Sequence, residues 1–205
     1  MNLKLRKLGT QDYRKTWASM QNVILSKGNE DPDELWLLEH FPVYTLGFGA
    51  SEDHLLREDN IPVVRSDRGG EVTYHGPGQI VAYFLINLRR KNWGPKRFVN
   101  ELEASVIDFL KKYNISSSRQ TGEPGIYVKD KKISSVGLKI KRGFSYHGLS
   151  INIDMDLSPF ENINVCGNEG LKVTHLNKFA EVSIDRAFKD FEKTAKERFE
   201  GIMSR

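Results

Sequence analysis

The chain has 205 residues, 39% hydrophobic and 28% charged, which suits one soluble domain (residues 1–205) with a sizeable core rather than a disordered or low-complexity chain. Its single cysteine excludes an intramolecular disulfide and multi-cysteine metal frameworks, and points to a reducing, cytoplasmic setting. No apolar run approaches the roughly 18–20 residues of a membrane span, no secretory signal opens the chain, and a net charge of +4 is mild enough to fit an acidic protein partner as well as nucleic acid.

Residues 3–8 alternate like a strand, Thr10 reads as an N-cap with Asp12 in the first turn, and Tyr13, Trp17, Met20 and Ile24 then fall at helical spacing to about Ser26. Glu34–Glu39 and Val43–Leu46 read as two strands broken at His40-Phe41-Pro42, with Trp36 and Leu38 facing one way. A short strand at 62–65 leads to a glycine-rich polar segment, RSDRGGEVTYHGPGQ. Residues 80–88, IVAYFLINL, are apolar at nearly every position, the pattern of a strand covered on both faces. The glycine-rich segment therefore lies at the end of a central strand, where ligand loops commonly lie.

A basic loop at 89–97 precedes an amphipathic helix carrying Phe98, Leu102, Val106, Phe109 and Leu110 to about Tyr113. Strands follow at 125–128, 132–140 and 144–153, and 154–166 reads as an ordered loop. Beyond Thr174 a short helical piece leads to Ser183, an N-cap for a last helix lined by Ile184, Phe188, Phe191, Ala195, Phe199 and Ile202. Strands and helices mix without strict βαβ alternation, which predicts an α+β fold with a largely antiparallel or mixed sheet.

The chemistry concentrates around Cys166, in a loop with Asn162, Asn164, Gly167 and Asn168. A buried inert thiol is the commoner fate of a free cysteine, but these polar neighbours describe a loop and not a core. Strict alternation from Lys132 to Ile140 places Lys132 on one face with Val136, Leu138 and Ile140, and Lys139 on the other. A core-facing lysine at the start of a strand reaches a cleft, where it can favour a thiolate and exchange a proton; an ordinary snorkelling lysine is the plain alternative. The segment 68–79 fits neither a Walker loop nor GxGxxG. It is a hairpin turn or a loop whose bare backbone approaches a ligand, with Arg68 a donor to an anion or carbonyl and Thr73, Tyr74 and His75 lining the ligand channel. His75 is equally a structural turn histidine. His147, on the expected face of Leu149, Ile151 and Ile153, reads as a satisfied core histidine, and a Cys-His hydrolase using either histidine stays open. The basic runs at 89–97 and 139–142 read as solvated faces, or as sites for an acidic protein or phosphate; the aromatics near them are too few for base stacking.

DRGGEVTYHGPGQ at 67–79, GIYV at 125–128, KKI at 131–133, GLKIKRGFSYHGLSINIDMDLSPFENINVCG at 137–167 and ELWLLEH-P at 34–42 together resemble the lipoyl(octanoyl) transferase family, over nearly the whole chain. The resemblance implies the α+β fold of biotin and lipoate protein ligase catalytic domains. It also implies transfer of an octanoyl group from octanoyl-acyl carrier protein, through a cysteine thioester, to the ε-amine of a lysine on lipoyl domains of 2-oxoacid dehydrogenase complexes or on the glycine-cleavage H protein. The nucleophile then aligns with Cys166 and its activating lysine with Lys132. The acyl-binding segments align with Arg68, Gly69, Gly70, Glu71, Val72, Thr73, Tyr74 and His75, with Ser135, Val136 and Gly137, and with Gly148, Leu149 and Ser150. No metal, no cofactor and no ATP are implied, and neither nucleic acid nor membrane is a partner. Many members carry proline where this chain has Val165 and a second cysteine where it has Phe144. An ATP-dependent lipoate or biotin protein ligase on the same fold is the alternative, and would need no cysteine. A non-catalytic binder of acyl carrier protein or an acyl chain is a third reading, against which the Cys166/Lys132 pair argues.

Overall fold

A computed structural model describes residues 3–57 and 59–201. The first strand, β1 (Lys4–Gln11), runs further than its alternation suggested. Thr10 pairs with Glu39 instead of capping a helix, and Asp12 takes the cap: its carboxylate accepts from the Lys15 backbone N–H at 2.9 Å, opening α1 (Tyr13–Ser26). Asp is the stronger capping residue, and Thr10 is β-branched and stays in the strand. The chain continues through β2 (Glu34–His40), β3 (Val43–Leu46), β4 (Val63–Arg65), β5 (Thr73–His75) and β6 (Gln79–Leu85). Helix α2 (Pro95–Lys111) begins before Phe98 because Pro95 is pre-set for the first helical position. Strands β7 (Ser118–Gln120), β8 (Glu123–Val128), β9 (Lys131–Lys141) and β10 (Phe144–Asn152) precede α3 (Ile184–Gly201). Ser183 caps α3, accepting at its carbonyl from the Ala187 N–H at 3.0 Å; Ile202 lies outside the described residues.

Seven strands form the main sheet in the order β1-β2-β6-β10-β9-β8-β7. Only β1 and β2 pair in parallel there, so the sheet is mixed, as expected for this α+β chain. Central β6 is buried on both faces. Ile80, Ala82 and Phe84 pack with Phe98, Leu102 and Phe109 of α2 and Phe191 and Phe199 of α3. Val81, Tyr83 and Leu85 pack with Met20 and Ile24 of α1, beside Trp36 and Leu38 of β2. The alternation in β2 thus resolves as expected, its Leu35 and Leu37 joining the α2/α3 face. A second sheet of three strands, β4-β3-β5, carries its own core of Tyr44, Leu46, Val72, Tyr74, Phe160, Ile163 and Val165. Tyr13 links it to α1 by packing on Val43 and Val64.

One departure decides the site. Between β8 and β9 the register shifts: Ile126 faces Ser134, but Tyr127 faces Lys132, so Ile133 is an additional residue on β9. Such a bulge breaks the two-residue alternation. Ile133 therefore joins Val136, Leu138 and Ile140 on the α2/α3 side. Lys132 emerges on the opposite side with Lys139, whose ammonium lies 5.0 Å from the Phe48 ring. Strict parity assigned Lys132 to the face of Val136, Leu138 and Ile140; the bulge overturns that assignment.

Candidate active site

The Cys166 loop is held from both sides. Ile163 and Val165 are buried in the small-sheet core. Between them and beyond, Asn164 N–H donates to the His54 carbonyl at 2.9 Å, and Cys166 N–H donates to the Val72 carbonyl at 3.2 Å. Val165 fills by apolar burial the position where proline is common in the family it resembles. Cys166 itself sits in the left-handed region at φ 56°, ψ 24°, a conformation uncommon for a non-glycine residue and kept only where the surroundings impose it. The thiol is half-buried and free.

Lys132 is 2% exposed, and its Nζ lies 3.0 Å from Cys166 Sγ. Among the described residues no carboxylate lies within ion-pair distance of this ammonium. A buried charge needs a partner, and the sulfur is the one at hand; the Tyr127 ring, 5.3 Å away, adds a cation–π contact. The lysine backbone is clamped as well: its N–H donates to the Lys172 carbonyl at 2.8 Å and its carbonyl accepts from Thr174 N–H at 2.9 Å. Gly125 makes room for the side chain. It has φ 137°, and a Cβ there would stand 2.6 Å from Lys132 Cε and 2.4 Å from the Ser134 carbonyl oxygen. Buried Glu103 of α2 fixes that glycine, accepting from its N–H at 3.0 Å while pairing with Arg119 at 2.8 Å.

The glycine-rich segment divides by strand parity. Arg68, Gly69, Gly70, Glu71, Thr73 and His75 line a cavity of about 800 Å³ that also contains Lys132 and Cys166. Val72 and Tyr74, expected to contact ligand with them, point instead into the small-sheet core; Tyr74 does so because successive residues of β5 alternate in direction, and Val72, just before the strand, falls on the same side. Ser135, Val136 and Gly137 line the cavity beside Gly148, Leu149 and Ser150. These two segments are cross-strand pairs, Ser135 with Ser150, Val136 with Leu149 and Gly137 with Gly148.

Arg68 differs from the expectation of a free donor. Its buried guanidinium donates to the Thr45 hydroxyl (3.2 and 2.9 Å), the Thr45 carbonyl (2.5 Å), the Gly69 carbonyl (3.0 Å) and the Glu71 carbonyl (2.8 Å). It holds the loop in shape and leaves a positive charge in the cavity wall with no carboxylate partner among the described residues. His75 Nδ1 meets Gln79 Oε1 at 2.7 Å. Since Gln79 Nε2 donates to the Tyr74 carbonyl (3.2 Å) and Asn152 Oδ1 (2.9 Å), Oε1 must accept, which fixes the His75 proton on Nδ1. Burial and the nearby His40 push the His75 imidazole down to about 3, so it stays neutral. The sequence left it as ligand contact or turn histidine; it is both bonded into the turn and part of the cavity wall.

His147 is buried, but not with Leu149, Ile151 and Ile153, which belong to the α2/α3 core. A φ of 60° at His147 breaks the alternation of β10, and the ring lies edge-on to Tyr83 and stacks on Tyr146. Its Nε2 meets Asp67 Oδ1 at 2.9 Å. Asp67 also accepts from Trp17 (2.9 Å), Gln21 (3.2 Å) and the Tyr146 hydroxyl. Burial alone would raise the Asp67 carboxyl, but the bonds from His147 and Tyr146 outweigh it and hold the group well below the usual carboxylate range. Burial lowers His147 despite that partner. Both motif histidines are thus occupied by Gln79 and Asp67, and the polar partner of Cys166 is Lys132. The cavity lining also includes Tyr13 and Tyr83, which read in the sequence only as core positions of a helix and a strand.

The family described as lipoyl protein ligase A/B catalytic domain matches residues 12–200. The octanoyltransferase of Vibrio atlanticus (strain LGP32) is 51% identical over 176 residues, covering 86% of this chain and 80% of that protein. The octanoyltransferase of Alkalilimnicola ehrlichii is 50% identical over 175 residues, covering 85% of this chain and 81% of that protein. Among solved structures, lipoate-protein ligase A bound with ATP superposes with a TM-score of 0.83 at 16% identity, covering 98% of this chain and 86% of the other. The biotin protein ligase of Aquifex aeolicus gives 0.59 at 14% identity, covering 100% of this chain and 72% of the other. At such identities these two likenesses speak for the fold alone.

Proposed function

This chain belongs to the lipoyl protein ligase A/B catalytic-domain family, and from that premise we propose that it is an octanoyltransferase working through a Cys166 thioester. It is an acyltransferase, like the relatives of about 50% identity. The donor is octanoyl-acyl carrier protein; the acceptor is a lysine ε-amine on lipoyl domains or on the glycine-cleavage H protein; the setting is the cytoplasm. The observation that carries the mechanism is the 3.0 Å contact between Lys132 Nζ and Cys166 Sγ.

Cys166 attacks as the thiolate, with its proton on Lys132. The new carbon–sulfur bond forms, the bond to the carrier thiol breaks, and Lys132 returns a proton to that leaving thiolate. The acceptor amine then attacks the thioester, gives a proton to Lys132, and expels Cys166 as the thiolate. Splitting acyl transfer in this way replaces one difficult step by two easier ones. A cation beside the sulfur favours the attacking form. At ~0.8 kcal/mol per buried CH2, the apolar part of the cavity wall supplies about 5 kcal/mol of binding to an eight-carbon chain. A cavity of this size lies within the usual range for small-ligand sites.

An ATP-dependent ligase on this fold activates a free acid and needs no cysteine. The two are separated by mixing the protein with octanoyl-acyl carrier protein and a lipoyl domain, without ATP. Octanoylation of the domain, lost in Cys166→Ala, is expected. Octanoylation only with ATP and free octanoate, persisting in Cys166→Ala, would overturn the assignment.

A further inference from the structure

Glu71 sits in the cavity wall as an anomaly. Its neighbours there, Lys132 and Arg68, are cations that suit a thiolate and a developing oxyanion, and an ionised carboxylate works against both. It also suits an acyl chain poorly, since burying an unpaired charge against methylenes is costly. Yet Glu71 is packed against the nucleophile loop. A Cβ on Gly167, the residue after Cys166, would stand 3.0 Å from Glu71 Cγ and 3.2 Å from His54 Nε2. The carboxylate is underused in this position. The side chain as a whole is 37% exposed, while its Oε2 is buried and has no hydrogen-bond partner. Among the described residues its one ionisable neighbour within range is His54, at a long 4.0 Å.

We infer that Glu71 is the subsite for the ε-ammonium of the acceptor lysine, and so distinguishes acceptor from donor at one reactive centre. This rests on the octanoyltransfer reading, in which the acceptor lysine is the substrate group that arrives positively charged and the donor thioester is neutral. The ammonium docks on the carboxylate and releases one proton to solvent. The resulting amine attacks the Cys166 thioester, a carbon–nitrogen bond forms, the carbon–sulfur bond breaks, and the second proton goes to Lys132, left neutral by departure of the donor thiol.

The test is Glu71→Gln, which keeps the shape and removes the charge, with Glu71→Asp as a second variant that keeps the charge. The acyl-enzyme is formed from octanoyl-acyl carrier protein and verified by intact mass, then challenged with either a lipoyl domain or hydroxylamine, a nucleophile uncharged at neutral pH. Loss of a charge-assisted contact is expected to raise the KM for the lipoyl domain in Glu71→Gln by about tenfold or more. Release by hydroxylamine should fall much less, and Glu71→Asp should stand between the parent and Gln. An unchanged KM, or an equal loss with both nucleophiles, would overturn the assignment. Failure of the parent protein to form an acyl-enzyme would instead remove the reading beneath it.

Discussion

Substituting alanine at Gly125 leaves Cys166 and Lys132 chemically intact and disturbs only their relative placement. The added Cβ would meet the Ser134 carbonyl oxygen at 2.4 Å and Lys132 Cε at 2.6 Å, where ordinary contact begins at 3.4 Å. Relief therefore requires a shift of about 1 Å, against either the β9 backbone or the lysine stem. The backbone gives little, because Ser134 is paired across the bulge with Ile126; the lysine stem is the part that moves. An alanine at φ 137° adds strain of order 1–3 kcal/mol, which for a chain of this size lowers the melting temperature by roughly 2–12 °C. A misplacement of about 1 Å in a reacting group costs on the order of 10²-fold in rate. Gly125→Ala is thus expected to remain folded and lose about a hundredfold in kcat/KM, measured as octanoyl transfer below the new melting temperature. A variant that melts lower but keeps parental turnover would refute the claim that the Lys132–Cys166 contact sets the rate.

Cys166→Ala should abolish turnover in a folded protein, read by transfer assay and circular dichroism. Lys132→Ala should lower turnover by about 10²–10⁴-fold, the usual range for a positioned acid–base group, and should move the pH profile of Cys166 alkylation to higher pH; an unmoved profile would argue against direct activation. Stability should fall in mild acid. His40 and His75 are held neutral by burial, at about 4 and about 3 against an ordinary 6.5, so below pH 6.5 the unfolded chain binds protons that the folded one refuses. The melting temperature is expected to be steady above pH 6.5 and to decline from there toward pH 4; a flat profile would contradict the buried neutral assignment. Asp67, held below its ordinary range, adds a further loss only below about pH 4, and Asp67→Asn should remove that last component.

The fold was legible where periodicity was strong. The run Ile80–Leu85 announced a strand covered on both faces, and β2 divided its leucines and Trp36 as alternation required. Parity failed at two points of backbone irregularity, the extra residue at Ile133 and the left-handed His147. Gly148 follows His147 directly, and Gly125 lies on β8 beside the bulge, but a lone glycine does not say which residue breaks the alternation. Lys132 was singled out by a face assignment that the bulge reverses, and it reaches Cys166 because of that bulge. Within the motif, alternation would have separated Val72 and Tyr74 from Thr73 and His75, had the segment been read as a strand and not as a loop. Glu103 gave no local signal at all: its role is to hold Gly125, a contact across 22 residues of sequence.

The most direct measurement is the intact mass of the protein after mixing with octanoyl-acyl carrier protein in the absence of ATP. A single octanoyl adduct, released by hydroxylamine and absent in Cys166→Ser, is the predicted result. A folded protein that binds the carrier and transfers octanoyl groups without ever carrying the adduct would contradict the thioester mechanism.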